Sequence, residues 1–141
     1  MVVDELLPVL RQHTGVVRTG LIGSSMGGYG ALYLAGRHPD VFSAVAVGSP
    51  ALWPRYEVSA PGAFDSAADF HAHDVFGFIN QLQQMPVRVD CGTDDPFVAM
   101  ARRLRSALPR ADGKISAGFH DSSYWRSIAP DQIRFLVGAL T

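Results

Sequence analysis

The sequence predicts an α/β protein with a parallel sheet and flanking helices, and three observations lead there. Four apolar runs have the length of strands, at 16–22, 41–48, 87–91 and 114–119. The segments around them carry apolar residues at helical spacing. Between the first run and a helix-like stretch lies Gly23-Ser24-Ser25-Met26-Gly27, so that strand, G-x-S-x-G and helix follow one another. Strand, helix and strand at this spacing make a βαβ unit, whose strands run parallel.

In order along the chain, Val3, Leu6, Leu7 and Leu10 fall on one helical face, with Asp4, Glu5, Arg11 and Gln12 opposite. Residues 2–13 therefore read as an amphipathic helix, bent or tightened near Pro8 and ended by Gly15. After the strand and the G-x-S-x-G turn, a helix runs to Arg37. It carries Gly27, Gly28 and Gly30, each costing a helix about 1 kcal/mol against alanine. That cost points to close backbone approach there. His38-Pro39-Asp40 stops the helix, and 41–48 is the second strand. The stretch 49–69 is rich in Pro, Gly, Ser and Ala and has no period, so it is a long connection over the carboxyl end of the sheet. Trp53, Tyr56 and Phe64 in it either line an acyl pocket or pin the connection down. Residues 70–85 are helical in their second half, and Pro86 leads into the third strand. A helix over 97–108 turns Val98, Ala101, Leu104 and Leu108 inward and leaves Arg102, Arg103 and Arg105 as a solvated face. The fourth strand is 114–119, and the tail 122–140 is helical, interrupted or stepped near Pro130. With no internal repeat or linker, 1–141 reads as a single domain.

Composition excludes several function classes. With 48% hydrophobic and 18% charged residues, the chain can bury a real core. A formal charge of −1 offers no electrostatic case for nucleic acid or an anionic membrane surface. No apolar run has the length of a membrane span and the N-terminus lacks a signal-peptide pattern, which points to the cytoplasm. Cys91 is the lone cysteine, so an intrachain disulfide and a zinc-cysteine cluster are out, and it reads as a small buried hydrophobe. His71 and His73, with Asp69 and Asp74, lack an obvious third ligand and read as solvated polar residues, so no metal is expected. His13 and His38 sit near helix ends, where a cation complements the dipole. G-x-G-x-x-G spacing and a Gly-Lys-Ser/Thr sequence are absent, which rejects a phosphate-cradling loop; no cofactor is expected.

The chemistry-bearing residues lie after strands. A sharp strand-to-helix turn lifts the Ser25 hydroxyl out of the sheet and aims the Met26 N–H at the place of an oxyanion. Gly92-Thr93-Asp94-Asp95 follows the third strand and His120 follows the fourth. Parallel strands put these ends on one edge of the sheet, where catalytic groups of open α/β sheets gather. Serine is a poor nucleophile near neutral pH; an imidazole can take its proton, and a buried carboxylate can orient and support that imidazole. Asp94 and Asp95 compete for the acid, and the Gly-x-x-Asp spacing favours Asp95. Asp121 adjoins His120, but neighbouring side chains in an extended loop diverge. Met26, Trp53 and Trp125 are the oxyanion or substrate-binding candidates. The order Ser, Asp, His is that of α/β-hydrolases.

The runs Gly-Ser-Ser-Met-Gly-Gly-Tyr-Gly-Ala-Leu, Asp-Cys-Gly-Thr-Asp-Asp-Pro-Phe and Gly-Phe-His-Asp-Ser-Ser-Tyr-Trp resemble an esterase family of the α/β-hydrolases. That family includes S-formylglutathione hydrolase (esterase D), feruloyl and acetyl esterases and the mycobacterial mycolyltransferases. The resemblance implies a nucleophile at Ser25, an acid at Asp95, a base at His120 and an oxyanion donor in the Met26 N–H. It implies a serine hydrolase of a small-molecule ester or thioester working through an acyl-enzyme, or an acyltransferase of the same family. Family members resemble an eight-stranded hydrolase with half of its strands before the elbow, whereas this chain starts one helix upstream of it. The expectation is a partial α/β-hydrolase fold of about four parallel strands, lacking the N-terminal strands and the loop that donates the second oxyanion N–H. The elbow strand is then an uncovered edge, through which a weakly active or inactive fragment could pair with another chain or form a homo-oligomer.

Overall fold

Parallel pairing needs a crossover longer than a hairpin, and each strand–helix–strand unit of this chain supplies one. The computed structural model describes residues 2–15 and 17–141. Four parallel strands, β1 (Gly20–Ser24), β2 (Ala44–Gly48), β3 (Val87–Gly92) and β4 (Ile115–Ser116), form one sheet in chain order. The helices are α1 (Leu7–Thr14), α2 (Met26–Arg37), α3 (Ala67–Ala72), α4 (Ile79–Leu82), α5 (Val98–Ala107) and α6 (Ser122–Leu140). The architecture is the expected one of four parallel strands with helices on both faces.

The two-residue alternation of a strand divides the sheet between two layers. Val45 and Val47 of β2 and Val87, Val89 and Cys91 of β3 join Leu32, Ala35, Leu82, Ala101 and Leu104 in one apolar cluster. On the opposite face a Cβ at Gly48 would stand 2.8 Å from Ile128 of α6. Every residue of β2 and β3 is buried, as suits central strands covered on both sides. Among the described residues β1 is an edge: it pairs with β2 alone, and Ile22 is 50% exposed.

The α6 face of β3 carries charge instead of hydrocarbon. Arg88 and Asp90, two residues apart and so on one face, are both buried and paired twice, Nε to Oδ2 at 2.7 Å and Nη2 to Oδ1 at 3.0 Å. Asp90 also accepts from the Lys114 N–H at 3.0 Å and from Gln132 of α6 at 3.4 Å. Asp112 and Asp131 lie 3.5 and 3.8 Å from the guanidinium. The lone pairs left on the buried carboxylate are thus occupied, and the Gln132 and Asp131 contacts join α6 to this face of the sheet.

Several boundaries differ from the sequence expectation for physical reasons. Residue 16, the start of the expected first strand, lies outside the described residues, and β1 begins only at Gly20. An edge strand is as long as its one partner allows, and β2 starts at Ala44 because Val41 and Phe42 close a turn onto the His38 carbonyl. The fourth strand shrinks to two residues because Gly118, at φ 155°, turns its carbonyl to the Asp94 N–H. The first helix opens with a π turn, Val2–Leu6, which shifts the phase of its apolar residues. Leu7 is buried, whereas Leu6 and Leu10 are exposed. The last helix is not interrupted: Pro130 lies on its exposed side, where water can take the carbonyl that a proline cannot serve. Nor is the arginine face of α5 wholly solvated, since Arg105 donates to the carbonyls of Val89 and Asp112 at 2.9 and 2.6 Å.

Removing Asp90 leaves the buried Arg88 guanidinium with only the more distant, part-exposed carboxylates of Asp112 and Asp131. Asp90→Ala is expected to destabilise the fold by about 3–5 kcal/mol in urea unfolding. Asp131→Ala, which removes a distant and part-exposed carboxylate, is expected to cost less than about 1 kcal/mol.

Candidate active site

The first candidate side chain is placed by backbone geometry. Ser25 caps α2 with φ 55° and ψ −123°, a conformation that non-glycine residues adopt only where the surroundings impose it. Its N–H donates to the Gly48 carbonyl at 3.0 Å, and its carbonyl accepts from Tyr29 and Ala51, each at 3.0 Å. Glycine is required at 23, because a Cβ there would fall on the Gly27 carbonyl. The helix glycines differ from expectation. Gly28 lies against Pro50, whereas a Cβ at Gly27 or Gly30 would meet open space.

The parallel register brings the strand ends together. Ser24 is level with Gly48, Gly48 with Asp90, and Gly92 with Ser116. Beyond them Ser25 Oγ lies 2.9 Å from His120 Nε2, and His120 Nδ1 lies 2.8 Å from Asp95 Oδ2. Asp95 is buried, and its other oxygen accepts from the Phe97 N–H at 2.8 Å. Nδ1–H donating to the carboxylate leaves the Nε2 lone pair to accept from the serine hydroxyl, so one tautomer satisfies both contacts. The acid and imidazole loops are tied together by Thr93 N–H to the Ser116 carbonyl at 2.9 Å and Asp94 N–H to the Gly118 carbonyl at 3.0 Å.

The other acids do not reach the imidazole. Asp94 accepts from its neighbour Thr93 at 3.0 Å on the exposed side. Asp121 caps α6, accepting from the Tyr124 N–H at 2.8 Å. His73 pairs with Asp69 at 2.9 Å, and its carbonyl accepts from the Tyr29 hydroxyl. No group of three or more His, Cys, Asp or Glu placed to hold a metal occurs among the described residues.

Aromatic rings fix the imidazole from two sides. Trp125 stands edge to face with His120 at 5.1 Å, and Phe97 lies 5.2 Å away. Trp53 is one ring further out, edge to face with Phe97 at 5.5 Å and with Phe64 at 6.0 Å. Trp53 and Phe64 also border, with Tyr29 and Phe70, a space of about 10 Å³, too small for more than one water. Trp53 thereby pins the long connection beside the imidazole. Met26 is the first residue of α2, so its N–H has no carbonyl one turn back within the helix. The Met26 side chain is half exposed at the mouth of the turn.

Two residues escape the sequence reading. Phe97, two positions after Asp95, both donates to that carboxylate and packs on the imidazole, and an aromatic beside the expected acid is a usable signal. Ser49 adopts φ 49° at the end of β2, for which the Gly48-Ser49-Pro50 sequence gives only a turn.

Comparison with known proteins agrees with this architecture. A family model described as "Putative esterase" matches residues 1–134. The iron(III) salmochelin esterase of Escherichia coli O6:H1 is 30% identical, over 97% of this chain and 36% of that protein. A solved ferulic acid esterase superposes with a TM-score of 0.81 at 21% identity, covering 99% of this chain and 60% of that one. S-formylglutathione hydrolase from Staphylococcus aureus gives 0.71 at 18% identity, covering 93% and 61%. The chain thus spans less than two thirds of the length of each of these relatives, and the structural likenesses are likenesses of fold.

Two outcomes follow from the packing around the strand ends. Gly23→Ala is expected to destabilise the protein by about 3 kcal/mol or more, read as a fall in the urea midpoint, because two backbone segments must part. Burial, with the Asp95 carboxylate after it, pushes the Cys91 thiol up to about 12, which keeps it protonated through neutral and mildly basic pH. At pH 8 the folded protein should leave a disulfide reagent such as DTNB unreacted, and unfolding in guanidinium should release one thiol.

Proposed function

Because the chain belongs to the Esterase family, we propose that it hydrolyses a small-molecule carboxylic ester or thioester through an acyl-enzyme formed on Ser25. The observation that carries this reading is the continuous contact from Ser25 Oγ to His120 Nε2, at 2.9 Å, and from His120 Nδ1 to Asp95, at 2.8 Å.

As Ser25 Oγ attacks the carbonyl carbon, His120 Nε2 takes its proton, and Asp95 supports the imidazolium that forms. The carbonyl oxygen gains negative charge within reach of the Met26 N–H, at the positive end of α2. The bond to the leaving alcohol or thiol then breaks, and the imidazolium returns the proton to it. Water attacks the acyl-serine by the same route: His120 takes a proton from it, the carboxylic acid departs and the Ser25 hydroxyl is restored. An alcohol in place of that water would make the reaction an acyl transfer. Trp125, whose ring meets the imidazole edge to face, is the aromatic that would contact the substrate, with Trp53 acting from behind Phe97.

A second reading concerns assembly. The exposure of Ile22 on an edge strand favours association of two copies through β1. In size-exclusion chromatography with light scattering, a dimer that Ile22→Lys converts to monomer is the expected result, and a monomeric wild type would dismiss it.

For the chemistry, a fluorophosphonate probe is expected to add once to the wild type by intact mass and not at all to Ser25→Ala. An equal adduct on Ser25→Ala would overturn the assignment. Hydrolysis of p-nitrophenyl acetate by Asp95→Asn, whose amide favours the wrong tautomer, should fall about 10³–10⁴-fold in kcat.

A further inference from the structure

Among the described residues the non-glycine residues with positive φ are Ser25 and Ser49. They stand at the carboxyl ends of two paired strands, one step beyond the level pair Ser24 and Gly48. The strain at Ser25 is accounted for by the turn that presents its hydroxyl, whereas the proposed chemistry leaves the strain at Ser49 unused. Its side chain does not explain it either. Ser49 is fully buried, and its hydroxyl has the Cys91 thiol for a neighbour, a weak partner, and finds no stronger hydrogen bond.

The backbone does explain it. The Ser49 N–H donates to the Asp90 carbonyl at 2.8 Å, the last rung between β2 and β3. Past that rung the chain turns sharply. Two residues on, the Ala51 N–H reaches the Ser25 carbonyl at 3.0 Å, and Pro50 lies against Gly28, where an added Cβ would stand 3.2 Å from Pro50 Cα. Trp53 then seats on Phe97, the ring that packs on His120. One short segment, 50–53, thus touches the backbone of the serine and the aromatic support of the imidazole, and its direction is set at Ser49.

We propose that Ser49 is a positioning residue: its left-handed backbone, and not its hydroxyl, holds the elbow and the imidazole wall in register. The inference rests on the reading of Ser25 as nucleophile. Leaving β2 in the ordinary extended conformation would carry Ala51 away from Ser25, and a displacement of about 1 Å at a reacting group can cost about 10²-fold in rate.

Two substitutions separate conformation from hydroxyl. Ser49→Gly deletes the hydroxyl and accepts positive φ freely. Ser49→Thr keeps the hydroxyl and adds a β-branch that opposes positive φ. Inactivation by a fluorophosphonate is followed over a range of probe concentrations, giving a maximal rate and a half-saturation constant, with wild type and Ser25→Ala in parallel. The expected result is Ser49→Gly within about twofold of wild type in both constants. Ser49→Thr should lose about tenfold or more in maximal rate, with half-saturation changed less than about threefold. Labelling of Ser49→Thr at the wild-type rate, or a loss in Ser49→Gly as large as in Ser49→Thr, overturns the proposal. If Ser49→Thr does not fold, Ser49→Gly decides: full labelling with an unchanged or raised Tm supports the turn, and a tenfold loss overturns it. A wild type that takes no probe overturns the nucleophile assignment and this inference with it.

Discussion

Every feature of the candidate site depends on the parallel register of β1, β2 and β3. Parallel strands end on the same edge, so residues far apart in the sequence emerge as neighbours without any long-range contact of their own. Ser24 level with Gly48, and Gly48 with Asp90, leaves Ser25, Ser49 and the turn after Gly92 as the first residues past the sheet. A slip of one residue would reverse which side chains face α2 and which face α6. It would put Arg88 and Asp90 into the hydrocarbon cluster and carry the Ser25 turn away from the Gly48 carbonyl. The buried charge on one face and the valines on the other therefore make the register costly to lose, and the geometry of the site inherits that cost.

The two layers serve the site differently. The face toward α2, α4 and α5 is hydrocarbon and supplies most of the apolar burial. The face toward α6 is tied by directional contacts, Asp90 to Gln132 and Asp90 to the Lys114 N–H. Those contacts locate the loop before β4 and the long helix after His120, and so the imidazole between them. Asp95 is held in turn by the Phe97 N–H from the start of α5. The proposed acid and base are thus each fixed by groups outside the proposed reaction, which is what a preorganised site requires.

Much of this was legible in the chain itself. Gly23-Ser24-Ser25-Met26-Gly27 between an apolar run and a helix specifies a turn by steric necessity, and the order of Ser25, Asp95 and His120 follows from which strand each one ends. Central strands were readable because burial on both faces makes them continuously apolar. What the sequence concealed is set by neighbours. The length of β1 follows from where β2 begins, and the shortness of β4 from the bend at Gly118. The π turn that rotates Leu6 and Leu10 outward and the continuous helix through Pro130 depend on local winding and on which side faces water. The buried Arg88–Asp90 pair breaks the apolar pattern of β3, but its partners in α6 and the 112–114 loop are known only once the layers are stacked. The role of Gly27 and Gly30 has no steric explanation in the fold.

The edge-to-face contact of Trp125 with His120 has a spectroscopic consequence. The indole is one of only two in the chain, and the other, Trp53, is separated from the imidazole by Phe97. Trp53→Phe would leave Trp125 as the single emitter, so that the intrinsic fluorescence of the protein would report on the packing against the His120 ring without label or substrate.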